Sequence, residues 1–225
     1  MNKIFIFCAM LFLFSVTACG QVRQEPQASD FRDAAEQGDK VAQFELARSY
    51  FRGLGVGIDY EQGVYWLRKS AKQGYAAAQF QLGFSYAFGD GIHIDYERAR
   101  YWYRKAAEQG HRLAQHNLGV MYAFGNGGDM DYEQANHWFR KAAEQGFAQS
   151  QFNLGVHYIL GSGLNVDYER GNFWIRKAAE QGFAEAQLRV GRYYIDRRNA
   201  EQATFWLRKS AAQGNENAKY LLSYF

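Results

Sequence analysis

Five histidines, His93, His111, His116, His137 and His157, are the first residues of this chain to weigh for chemistry. Two imidazoles hold a metal readily when they share a helix face, as in HExxH. His111 and His116 are five apart, which is not one face, and no other close pair exists, so no metal is expected. A serine nucleophile sits in a GxSxG frame, and Gly161-Ser162-Gly163 lacks that frame. No GxxxxGK loop is present to cradle phosphates. With no converging acid, base and nucleophile, the chain reads as non-catalytic and free of cofactor.

The two cysteines, Cys8 and Cys19, point to a different chemistry. "MNKIFIFCAMLFLFSVTACG" carries Lys3, an apolar run from Ile4 to Val16, and then small residues, the layout of a secretory signal. The run is short for a bilayer span, which takes roughly 20 residues. Val16-Thr17-Ala18-Cys19 resembles a bacterial lipobox, which implies cleavage before Cys19 and lipidation of Cys19. Gly20, not Asp, follows, resembling the sorting pattern of Gram-negative lipoproteins bound for the outer membrane, facing the periplasm. An ordinary cleaved signal would leave Cys19 incidental.

Residues 1–18 thus read as signal peptide, 19–29 as lipidated cysteine and tether, and 30–225 as the folded part. The tether "GQVRQEPQAS" holds the only proline, Pro26. Its ten residues would reach roughly 35 Å when extended. The mature chain keeps one thiol, already lipidated, so no disulfide framework is available. Without Lys3 the 26 basic residues fall to 25 against 23 acidic ones, a net charge of +2. That balance argues against nucleic acid as a partner, and leaves the lipid as the only contact with membrane.

The elements that must position any site repeat. "RKAAEQG" occurs at 104–110, 140–146 and 176–182, with near copies at 68–74 and 208–214. The glycines at 38, 74, 110, 146, 182 and 214 are 36 residues apart four times, then 32. Such a period marks stacked units, here 39–74, 75–110, 111–146, 147–182 and 183–214, with partial units before and after.

Each unit reads as two helices. In the second, Ala78, Leu82, Gly83 and Tyr86 form one stripe of a first helix. Glycine inside a helix costs about 1 kcal/mol against alanine, so its recurrence in that stripe predicts a close-packed neighbour. Loop glycines two apart follow, and then Asp59, Asp95, Asp131 and Asp167 stand where a cap is needed. Asn199 holds that place in the last unit, which lacks four loop residues. The second helix places Tyr96, Ala99, Trp102, Ala106 and Ala107 on one stripe. All five tryptophans share the Trp102 position, as core residues would. Arg104, Lys105 and Glu108 fall on the opposite, solvated side.

The pattern AxxxLGxxY, GxG, DxxxAxxWxxxAAxxG resembles the Sel-1-like repeat, a relative of the tetratricopeptide repeats. The resemblance covers the whole chain beyond the tether. It implies an all-α fold, a right-handed α-solenoid of five helix-turn-helix repeats with half-repeat caps, holding a protein partner on its concave face. Valine after the second loop glycine is kept only as Val56, with Ile92, Leu164 and Gly128 elsewhere. Cysteine-rich members described as β-lactamase-like carry a disulfide in each unit, which this chain cannot make.

By the same resemblance, the concave face is the side of the first helices opposite the core stripe. It offers Arg48, Arg52, Phe84, Phe88, His116, Val120, Phe124, Val156, Leu160, Arg192 and Asp196 to a partner. The middle units are apolar there and the end units charged. Phe44, Phe80 and Phe152 share the face but are expected to be buried between neighbouring units. Two roles are open: an envelope scaffold or adaptor, or an immunity protein. Some Sel-1-like lipoproteins resemble guards against secreted toxins, type VI phospholipase effectors among them.

Overall fold

The computed structural model describes residues 25–225, so the signal sequence, Cys19 and the tether up to residue 24 lie outside the described residues. Within them are twelve α-helices and no strand. They are α1 (Ala28–Glu36), α2 (Lys40–Arg52), α3 (Tyr60–Lys72), α4 (Ala76–Phe88), α5 (Tyr96–Glu108), α6 (Arg112–Phe124), α7 (Tyr132–Glu144), α8 (Ala148–Leu160), α9 (Tyr168–Glu180), α10 (Ala184–Asp196), α11 (Ala200–Ala212) and α12 (Glu216–Leu222). Helices α2 to α11 pair into five units, and α1 and α12 close the ends. Each large interface joins helices that follow one another along the chain, which makes the molecule an all-α solenoid.

The capping residues act as their types require. The Asp95 carboxylate accepts from the Arg98 N–H at 2.9 Å, satisfying a free donor of the first turn, and Asp59, Asp131 and Asp167 repeat the bond. Asn199 does the same for Gln202 in the shortened last unit. There Arg198 takes the left-handed backbone (φ 54°) that glycine supplies in the longer loops. The Asn199 N–H still donates to the Tyr194 carbonyl, as the Asp167 N–H does to Tyr158, so the deletion keeps the anchor of the loop.

The stripe glycine has its close neighbour. A Cβ on Gly119 would stand 2.7 Å from the ring of Phe139 and 3.2 Å from the Ala135 carbonyl. Gly83 meets Tyr103, Gly155 meets Ile175 and Gly191 meets Leu207 in the same way. Those partners occupy the position after each tryptophan, and they are among the most deeply buried side chains. This corrects one expectation about the second helix. Tyr96, placed on the buried stripe, is 44% exposed, and Tyr103 lies in the core in its stead. The tryptophans are core residues, with Trp66, Trp138 and Trp206 buried and Trp102 and Trp174 packed against buried clusters.

The repeated phrase also joins units. Gln43, Gln79, Gln115, Gln151 and Gln187 are buried, and each donates to a carbonyl in the last turn of the preceding unit, as Gln115 does to Ala107 at 3.1 Å. The glutamine of each "QG" then donates to that buried amide, as Gln145 does to Gln115 at 2.7 Å. The result is a ladder of side-chain amides running the length of the solenoid.

Gly128, the departure from valine, has a physical cause. Val56, Ile92 and Leu164 pack against the core from their loops. In the third unit that space holds Arg100 from the unit before. Its guanidinium stacks 3.7 Å from the Tyr122 ring centre and donates to the Gly127 carbonyl at 3.2 Å. A Cβ on Gly128 would stand 2.2 Å from that guanidinium.

Candidate functional site

The face of the first helices away from the core divides by depth. Phe44, Phe80, His116 and Phe152 are half-buried and lie at the unit junctions. Each packs on the residue that begins the next first helix: Phe44 on Tyr75, Phe80 on His111, His116 on Phe147, and Phe152 on Phe183, with ring centres 4.6 to 5.3 Å apart. His116 thus belongs to a packing column and is not part of the exposed set. Its Nδ1 lies 2.8 Å from the Ser150 hydroxyl, and burial lowers its pKa to about 4.

One turn further along, Phe84, Val120 and Val156 are half-buried and line the floor of the face. At the ends of the same helices stand Phe88, Phe124 and Leu160, which are 55%, 75% and 65% exposed. Phe84 and Phe88 touch, with ring centres 4.3 Å apart. Arg52 and Asp196 hold the equivalent exposed positions in the end units, and Arg192 is exposed beside Asp196. Arg48 pairs with Glu45 at 2.8 Å and Arg52 with Glu25 at 3.1 Å. Such exposed pairs hold little energy, and both arginines have a carboxylate neighbour.

Two exposed columns escaped the sequence reading. Ile58, Ile94, Met130 and Val166 precede the capping aspartates and are all exposed. Ile94 and Val166 fold over Gly89 and Gly161, so they stand beside Phe88 and Leu160. The signal was legible as an apolar residue before the aspartate in four successive loops. The second column, Tyr65, Tyr101, Phe173 and Phe205, lies on the outer side of the second helices. A lysine one turn on covers each ring, with Lys69, Lys105, Lys177 and Lys209 at 4.4 to 5.7 Å.

Two further histidines serve the fold, while His93 and His137 are exposed. His111 Nδ1 accepts from the Ala114 N–H at 3.2 Å and caps α6. Asn136 donates to the Ser162 carbonyl, which leaves its oxygen to accept from His157 Nδ1 at 2.7 Å. Desolvation lowers the pKa of both rings. Among the described residues no three His, Cys, Asp or Glu side chains gather to hold a metal, and no helix is long and apolar enough to cross a membrane.

The family model for the Sel1 repeat matches five times, at residues 40–75, 76–111, 112–147, 148–183 and 184–215. No curated protein matches the sequence significantly. Among solved structures, a protective antigen of uropathogenic Escherichia coli with an SLR fold is 36% identical, with a TM-score of 0.83 over 88% of this chain and 43% of that one. A Sel1 repeat protein from Oxalobacter formigenes is 34% identical, with a TM-score of 0.80 over 87% of this chain and 58% of that one. A Sel1 repeat protein from Klebsiella pneumoniae, 22% identical with a TM-score of 0.52, shares the fold, over 88% of this chain and 99% of that one. The chain therefore spans about half the length of the first two.

Proposed function

The chain belongs to the Sel1 repeat family, whose members mediate protein–protein interaction, and we propose that it is a non-catalytic protein-binding lipoprotein that works as a scaffold or adaptor. Its anchor is Cys19, lipidated and held in the outer membrane, with the solenoid facing the periplasm. Its binding face is that of the first helices.

The observation that carries this reading is the column Phe88, Phe124 and Leu160. Three large apolar side chains, one per unit, stand more than half exposed. The fold does not require them, because Arg52 and Asp196 fill the same position in the end units. A contiguous exposed apolar strip on a soluble domain marks an interaction site.

The test is capture of partners from detergent-solubilised envelopes by the wild-type protein and by Phe84→Asp/Phe124→Asp, with equal helicity checked by circular dichroism. The expected result is a resident envelope protein retained by the wild type and lost with the variant. A secreted toxin captured in the same way would make the role neutralising. Equal capture by the variant would refute the assigned face. Radiolabelled palmitate incorporation, abolished by Cys19→Ala, tests the anchor separately.

A further inference from the structure

The loop edge of the solenoid, where first helices end and second helices begin, carries apolar side chains and negative charge together. Phe88 with Ile94, Phe124 with Met130 and Leu160 with Val166 form three ridge pairs, one per middle unit, and every member is more than half exposed. Between residues 88 and 170, the three segments 88–98, 124–134 and 160–170 hold eight carboxylates and two arginines. Arg98 and Arg170 are paired to capping aspartates at 3.2 and 3.3 Å. Arg100 and Arg140 reach the edge from the second helices, bound to the Gly127 carbonyl and the Tyr158 hydroxyl, so carboxylates still outnumber cations. The lysines of the second helices all lie at the opposite end, in the last turns.

The fold explains the acids: Asp and Glu in a first turn cap free N–H groups and complement the helix dipole. It does not explain the apolar residue that precedes each aspartate. Ile58, Ile94 and Val166 lean over a glycine, and these three and Met130 remain mostly in solvent. The charge then narrows what can cover it. Carboxylates around an apolar strip repel an anionic bilayer and favour a surface of opposite sign.

We infer that this loop edge docks a cationic amphipathic helix of the partner protein, its apolar residues on the three ridge pairs and its lysines or arginines against the flanking carboxylates. The inference rests on the reading of the chain as a protein-binding module, and names the chemistry of what it binds. It extends the site from the first helices to residues outside them, Ile94, Met130 and Val166.

The test uses a synthetic amphipathic leucine–lysine helix, its leucine–glutamate counterpart, and phosphatidylethanolamine–phosphatidylglycerol vesicles. The expected result is binding of the lysine helix alone, weakening as salt rises. Ile94→Asn/Val166→Asn and Glu97→Gln/Glu133→Gln/Glu169→Gln should each weaken it roughly tenfold with unchanged helicity. Binding of the lysine helix that ignores both variants overturns the inference, as does vesicle binding that Ile94→Asn/Val166→Asn abolishes. Capture of the native partner by the same variants separates the two readings. A partner lost with Phe84→Asp/Phe124→Asp but kept by Ile94→Asn/Val166→Asn sinks this inference and leaves the protein-binding role standing. A partner kept by both sinks both.

Discussion

The guanidinium of Arg104 donates to the hydroxyl of Tyr122, eighteen residues further on and in the next unit. The same bond joins Arg68 to Tyr86, Arg140 to Tyr158 and Arg176 to Tyr194, and Arg32 of the N-terminal cap to Tyr50. The arginine of the repeated phrase thus reaches forward to the following unit. Its glutamine reaches back within its own unit, to the buried amide that grips the unit before.

The two bridges should differ in strength. Tyr122→Phe removes one part-buried hydrogen bond whose donor, Arg104, is exposed and can turn to water, and should cost about 1 kcal/mol. Gln115→Ala removes two bonds of the buried ladder, its own to the Ala107 carbonyl, which keeps the Gly110 N–H, and the one it accepts from Gln145, and should cost about 1–3 kcal/mol. Urea unfolding of the two variants should show that order. The reverse order would mean that the amide ladder is not what couples the units.

Gly119 faces Phe139 with no room for a Cβ. Gly119→Val should overpack that contact and lose roughly 1–3 kcal/mol. Gly119→Val combined with Phe139→Ala should recover part of the loss by making the space. A double variant no better than the sum of the single changes would show that the glycine serves some other purpose.

His116 should make stability fall in mild acid. Its folded pKa, about 4, lies below the unfolded value of 6.5 because burial disfavours the charged ring. The unfolded chain therefore takes up the proton first. The contribution is complete above pH 6.5 and is lost as pH falls toward 4, on the order of 3 kcal/mol in all. His111 and His157 shift in the same direction and add to the slope. Urea midpoints of wild type and His116→Gln between pH 7.5 and 5 should converge on acidification. Parallel curves would exclude His116 as the source.

Arg198 holds a left-handed backbone without being glycine. Arg198→Gly should relieve that strain and raise stability by up to about 1 kcal/mol, read as a higher Tm. A lower Tm would mean that the Arg198 side chain contributes more than its backbone costs.

Much of this fold was legible because it repeats. Five tryptophans at one position, four capping aspartates and a glycine in every first helix except that of the first unit reveal their roles by recurrence. Tyr103 and Phe139 hid because their position holds Leu, Tyr, Phe, Ile and Leu in turn, a pattern fixed only by shape against the glycine. The glutamines were visible as residues, but their pairing depends on how one unit stacks on the next. His116 looked like a surface residue because helical spacing places it on the side of its helix opposite the core stripe. The next unit's Phe147 covers it, and a periodicity within one helix does not encode that neighbour. Ile94, Met130 and Val166 lay in loops, where no period distinguishes inside from outside.

Since every large interface joins consecutive helices, each helix meets its last substantial neighbour one element after it appears. The chain can therefore assemble in the order in which it is made, starting from α1, without waiting for its far end. The growing end always presents an uncovered apolar flank until the next helix covers it. Loss of α12 would uncover Leu188 and Leu207, which cluster with its Ala218, and leave them ready to seize a second chain.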